Sequence, residues 1–127
     1  DVYKRQDLES SYMNELLKNS DFVSLHVPAQ KSYVIGKNEF NLMKTGAGLI
    51  NAARGGVVDE KSLIESLDSG KLAFAGVDTF ENEPKPSLKL LMHPKVSLTP
   101  HIGAATNEAQ DRIGIELANQ IMTLVKE

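Results

Sequence analysis

The sequence has 127 residues, 41% of them hydrophobic, and a net charge of −3, which suits one ordinary globular domain. With no Cys it has no disulfide, thiolate metal site or cysteine nucleophile, and without a basic stripe a nucleic-acid partner is not expected. No run reaches the roughly 18 apolar residues of a membrane helix and no basic-then-apolar leader stands at the start, so the expected setting is cytoplasmic, away from membranes.

Residues 1–6 (DVYKRQ) are polar, patternless and lack an initiator Met. They read as a non-native leader, which leaves 7–127 as the folding unit and as a piece of something longer. Residues 12–18 read as a short helix, with Met13, Leu16 and Leu17 at helical spacing. Residues 21–27 (DFVSLHV) read as a strand that Pro28 stops. Residues 38–44 form a helical turn, with Asn38 as the expected N-cap and Phe40 and Met43 three apart. Residues 47–52 (AGLINA) are a short apolar strand. Asp59 caps a helix running to Ser69, with Leu63, Ile64 and Leu67 on one face, and Gly70 ends it. Residues 72–78 (LAFAGVD) make a third strand, and 96–99 (VSLT) a fourth, stopped by Pro100. The stretch 81–94 between them reads as the longest irregular loop. Thr106 caps a long final helix whose Ile113, Leu117, Ile121 and Leu124 form one stripe.

Short apolar strands separated by helices predict an α/β fold, a doubly wound, Rossmann-like parallel sheet with helices on both sides. Ligands bind outside the carboxyl ends of such strands. His26, Val27 and Pro28 stand at the first exit, and Ala53, Arg54, Gly55 and Gly56 at the second. Asp78 and then Glu83 follow the third, and His101 and Gly103 the fourth. Arg is a fixed fork of donors that fits a carboxylate. His exchanges a proton near neutral pH, and a nearby Glu stabilises its charged form and fixes its tautomer. Together they suit a 2-hydroxy or 2-keto acid. His26 reads as a core or supporting residue with a cofactor-side role left open, and His93 as a loop residue without a role. Residues 46–51 imitate a dinucleotide fingerprint but lead into a strand instead of following one.

Four blocks in order resemble the D-isomer-specific 2-hydroxyacid dehydrogenases, with the phosphoglycerate branch nearest. They are 24–28 (SLHVP), 49–60 (LINAARGGVVDE), 76–84 (GVDTFENEP) and 98–106 (LTPHIGAAT), within a likeness that spans 20–127. The resemblance implies NAD as cofactor and a small 2-hydroxy or 2-keto acid as substrate. It implies that Arg54 binds the substrate carboxylate, that His101 is the acid/base and that Glu83 is its partner. Asp78 would hold the nicotinamide carboxamide; Val27, Pro28, Ala52, Ala53, Arg54, His101, Ile102, Gly103 and Ala104 would line the dinucleotide. Glu83 stands where the formate dehydrogenase branch has Gln, and Thr79 where the family often has Val, a packing variant. The family's glycine-rich phosphate turn and ribose-binding acid precede the matching segment, and no G-x-G-x-x-G stands here. The chain therefore reads as the distal part of an NAD-binding domain, ending in the helix that leads back to a substrate domain. By itself it is expected to be inactive, and the intact protein to be a homodimer. The alternatives are another reductase of this family, for glyoxylate or hydroxypyruvate, or a non-catalytic, NAD-sensing binding module of the corepressor type.

Overall fold

The computed structural model describes residues 11–125, so the expected leader at 1–6 lies outside the described residues. Four strands, β1 (Phe22–Leu25), β2 (Ala47–Asn51), β3 (Leu72–Val77) and β4 (Val96–Leu98), form one parallel sheet in the order β1-β2-β3-β4. The helices are α1 (Met13–Asn19), α2 (Lys37–Leu42), α3 (Glu60–Asp68), α4 (Leu88–Leu91) and α5 (Asn107–Val125).

Register carries the side-chain alternation across the sheet. Val23 lies opposite Leu49, which lies opposite Ala75, and Leu25, Asn51, Val77 and Leu98 follow as a row nearer the carboxyl ends. Leu49 and Ala75 are fully buried. Burying one such leucine stabilises the fold by about 1.5–3 kcal/mol.

Parallel crossovers are right-handed. A strand order that never reverses therefore puts every crossover helix on the same face. Contacts run in series from α1 to α2 to α3 to α4, and the buried Leu17, Phe40, Met43, Leu63, Leu67 and Leu90 fill the layer beneath them. The Rossmann-like parallel sheet matches expectation, but within the described residues these helices cover one face, not both. On the other face Phe22 and Phe74 pack their rings 6.0 Å apart and stay partly exposed. They cross over Gly48, where a Cβ would lie 2.5 Å from the Phe74 ring.

The helix limits follow local chemistry. Asp59 accepts from the N–H groups of Lys61 and Ser62 and opens α3, and Gly70, at φ +75°, closes it. The Lys95 ammonium donates to Leu67 O at 2.6 Å and satisfies one carbonyl of the last turn of α3. Thr106 Oγ1 accepts from Ala109 N–H at 3.2 Å, as expected of the α5 cap. Two expectations need correction. Gly36, not Asn38, precedes α2, and its N–H donates to Glu39 Oε2 at 2.9 Å. The stretch 81–94 is not wholly irregular, because it contains α4, anchored by the fully buried Leu90.

Candidate active site

The carboxyl ends of β2, β3 and β4 are laced together. Asp78 N–H donates to Asn51 O at 2.9 Å, and Thr99 N–H to Val77 O at 3.1 Å. Asn51 is buried; its Oδ1 accepts from Ala53 N–H at 3.2 Å, which turns the chain sharply before Arg54. Asp78 Oδ1 accepts from the Thr99 hydroxyl and from His101 N–H at 3.1 Å.

Those contacts hold His101 at φ 54°, in the left-handed region. A non-glycine residue kept there costs of order 1–3 kcal/mol and marks a place where the surroundings impose the conformation. Both Glu83 oxygens lie 3.1 Å from His101 Nδ1. Glu83 Oε1 also accepts from Phe80 N–H at 3.0 Å. The Phe80 N–H first, then His101, hold the Glu83 carboxyl below its ordinary value. An ionised Glu83 accepts, so His101 Nδ1 carries the proton in this contact, and Nε2 has no partner among the described residues.

Arg54 and His101 line one open cavity of about 380 Å³, with Asp78 and Gln110 among its walls. Its other walls are small: Ala52, Gly103, Ala104 and Ala105. The Arg54 guanidinium donates to Ala53 O at 2.7 Å and meets no carboxylate among the described residues. Glu83 and His101 also line a second cavity of about 500 Å³, backed by Pro84, Leu91 and Leu98. His101 is thus the wall between the two.

Sequence reasoning placed Arg54, Asp78, Glu83 and His101 near one rim; Arg54, Asp78 and His101 share one cavity there, and Glu83 reaches His101 from the neighbouring one. Ala53 is buried beneath the turn, and Ile102 is exposed beside the cavity. Val27 packs against the core and Pro28 is exposed, both beyond the end of β1. His26 is exposed, its Nε2 2.9 Å from Ser24 Oγ. His93 pairs with Asp68 at 3.2 Å, at the end of α3 and far from this chemistry in the fold. Sequence reasoning missed Asn51 and Thr99, which hold the rim, and Glu81, which exchanges hydrogen bonds with Glu60. An Asn inside an apolar strand is a signal for Asn51 alone; Thr99 and Glu81 carry none. Among the described residues no cluster of three metal-ligating side chains occurs, and no helix is long and apolar enough to cross a membrane.

The fold is that of a Rossmann-like parallel α/β domain, with an Arg, a carboxylate and a carboxylate-backed His gathered at successive strand exits. The family model of the D-isomer specific 2-hydroxyacid dehydrogenase, NAD binding domain, matches residues 1–103, and the chain belongs to that family. It is 47% identical over 122 residues to a hydroxypyruvate reductase of Thermotoga maritima, covering 91% of this chain and 40% of that protein. It is 44% identical over 116 residues to a D-3-phosphoglycerate dehydrogenase of Methanocaldococcus jannaschii, covering 90% of this chain and 22% of that one. The crystal structure of a glyoxylate reductase from Paecilomyes thermophila superimposes with a TM-score of 0.81 at 37% identity, over 92% of this chain and 36% of that one. The chain thus spans well under half the length of these relatives.

Proposed function

We propose that the protein containing this chain transfers hydride between NAD and a D-2-hydroxy acid, with 3-phosphoglycerate and 3-phosphohydroxypyruvate as the preferred pair. What supports it most is the contact of both Glu83 oxygens with His101 Nδ1 at 3.1 Å, beside a cavity that Arg54 shares.

The residues present fit the nicotinamide end of the dinucleotide. Asp78 meets its protein donors through Oδ1, which leaves Oδ2 to accept from a carboxamide N–H. Around it the cavity walls carry nothing larger than a methyl at Ala52, Gly103 and Ala104. Bound NAD supplies the ring that accepts or returns the hydride. The rest is the chain's own work. Arg54 holds the substrate carboxylate in its fork of donors. Neutral His101 accepts the C2 hydroxyl proton at Nε2 during oxidation, and the imidazolium returns it during reduction. Glu83 keeps Nδ1 protonated and stabilises the imidazolium that forms. A cytoplasmic homodimer belongs to the same reading, as does inactivity of the 127-residue chain by itself.

A second reading, a reductase for hydroxypyruvate or glyoxylate, is favoured by the 47% identity to the hydroxypyruvate reductase. NADH oxidation by the whole protein, with phosphohydroxypyruvate, hydroxypyruvate and glyoxylate compared by kcat/KM, decides between them. Phosphohydroxypyruvate is expected to lead. His101→Asn, which tolerates the left-handed backbone, is expected to lose about 10²- to 10⁴-fold in kcat. A lead for either smaller acid moves the protein to the second reading. No turnover of any of the three leaves it a dinucleotide-sensing binding module.

A further inference from the structure

The proposed chemistry does not use Glu60 or Glu81, yet these two side chains are tied to each other across the base of the site. Glu60 N–H donates to Glu81 Oε1 at 2.9 Å, and Glu81 N–H donates to Glu60 Oε1 at 2.7 Å. Glu60 is only 7% exposed, and burial pushes its carboxyl above the ordinary value. Removing a carboxylate from water is costly, so the exchange needs a structural return.

Its return lies in what Glu81 borders. Residues 79–81 are met from β2 and the segment after it at three successive points. Asn51 Nδ2 donates to Thr79 O at 3.5 Å, the longest of the contacts. Gly55 lies so close to Phe80 O that a Cβ there would sit 1.9 Å from it. Glu60 then exchanges bonds with Glu81. Phe80 N–H in turn donates to Glu83 Oε1, the oxygen that also meets His101. The turn carrying Arg54 and the loop carrying Glu83 are therefore fastened together.

We infer that Glu60 and Glu81 form a reciprocal carboxylate–amide latch that positions Glu83 against His101 Nδ1. They are positioning residues and touch neither substrate nor cofactor. The inference deepens the proposed dehydrogenase reading and rests on it for its effect on rate, but the geometry it predicts is read independently of turnover.

The test compares three substitutions in the whole enzyme. Glu81→Gln keeps an oxygen for the Glu60 N–H. Glu81→Ala removes it, and Glu81→Asp keeps the charge but falls one methylene short. Glu81→Gln is expected to retain kcat. Glu81→Ala and Glu81→Asp are expected to lose about 10- to 100-fold in kcat, the cost of a misplaced catalytic group, with the KM for the keto acid little changed. The long-range ¹H–¹⁵N imidazole spectrum of His101 is the second readout. Wild type and Glu81→Gln should show the Nδ1-protonated tautomer, and the other two a mixture. An unchanged tautomer in Glu81→Ala and Glu81→Asp overturns the latch, whatever the rates do. A mixed tautomer in Glu81→Gln overturns it as well. Should Glu81→Ala not fold, Glu81→Asp against Glu81→Gln decides alone. If no 2-keto acid is turned over at all, the dehydrogenase reading fails and the spectrum still judges the latch.

Discussion

Asp78 Oδ1 accepts the His101 backbone N–H at 3.1 Å, so the residue that leaves β3 fixes the main chain of the residue that leaves β4. The same oxygen holds the Thr99 hydroxyl. Asp78→Ala removes the acceptor for both donors, frees a left-handed residue and, on the proposed reading, also removes the acceptor for the carboxamide. The expected result is a loss of about 10²-fold in kcat/KM, with the larger share in kcat. Steady-state kinetics of the whole protein measure it. A variant as fast as wild type would show that Asp78 fixes nothing the reaction needs.

Glu83 gives a pH dependence with a definite sign. Its carboxyl is held below the ordinary value of 4.5, first by Phe80 N–H and then by His101. A depressed carboxyl binds fewer protons folded than unfolded. Its contribution to stability is therefore complete above 4.5 and is lost as pH falls through the lower folded value. The contact with His101 should persist at pH 4.5, where an unperturbed glutamate is half protonated. A ¹³C titration of the Glu83 carboxyl measures this, and a midpoint at or above 4.5 contradicts it.

Two glycines should respond differently to the same methyl group. At Gly55 a Cβ would lie 1.9 Å from Phe80 O, and backbone gives way only at a cost. Gly55→Ala is expected to cost about 1–3 kcal/mol, as overpacking does, and to displace the Glu83 loop. At Gly48 the clash is with the ring of Phe74, which is 39% exposed and can swing into solvent. Gly48→Ala should cost less. Urea unfolding midpoints rank the two, and the reverse order would mean the loop yields more readily than the ring.

Thr79 is 1% exposed, and its hydroxyl has no hydrogen-bond partner among the described residues. Thr79→Val keeps the shape and removes the unsatisfied group, and should stabilise the chain by about 1 kcal/mol. The thermal midpoint should rise. A fall would reveal that the hydroxyl is satisfied after all.

The strands and the rim were legible because each strand is a short apolar run stopped by a polar residue or Pro. Asp78 and His101 stand out at the ends of such runs, and parallel-sheet topology then gathers them. The helix over 60–68 was equally plain, since Asp59 and Gly70 punctuate it. What escaped was chemistry without local pattern. The four residues of α4 are too few to show helical periodicity, and only Leu90 is buried there. Gly36 starts α2 through its own N–H and the side chain of Glu39, so no capping side chain precedes the helix. The Glu60–Glu81 exchange joins residues 21 positions apart, and each reads singly as surface charge. Helices on both faces were expected from alternation alone, but alternation does not reveal that the strand order does not reverse among the described residues.

α5 is 19 residues long, and none of its side chains is buried. Residues near it, Ala104 and Thr106, bond only its opening turn. In the 127-residue chain by itself it is therefore expected to open and re-form much as a free peptide would, limited by its own nucleation. Its amides should exchange with deuterium through local opening, long before those of β2, which exchange only when the sheet comes apart.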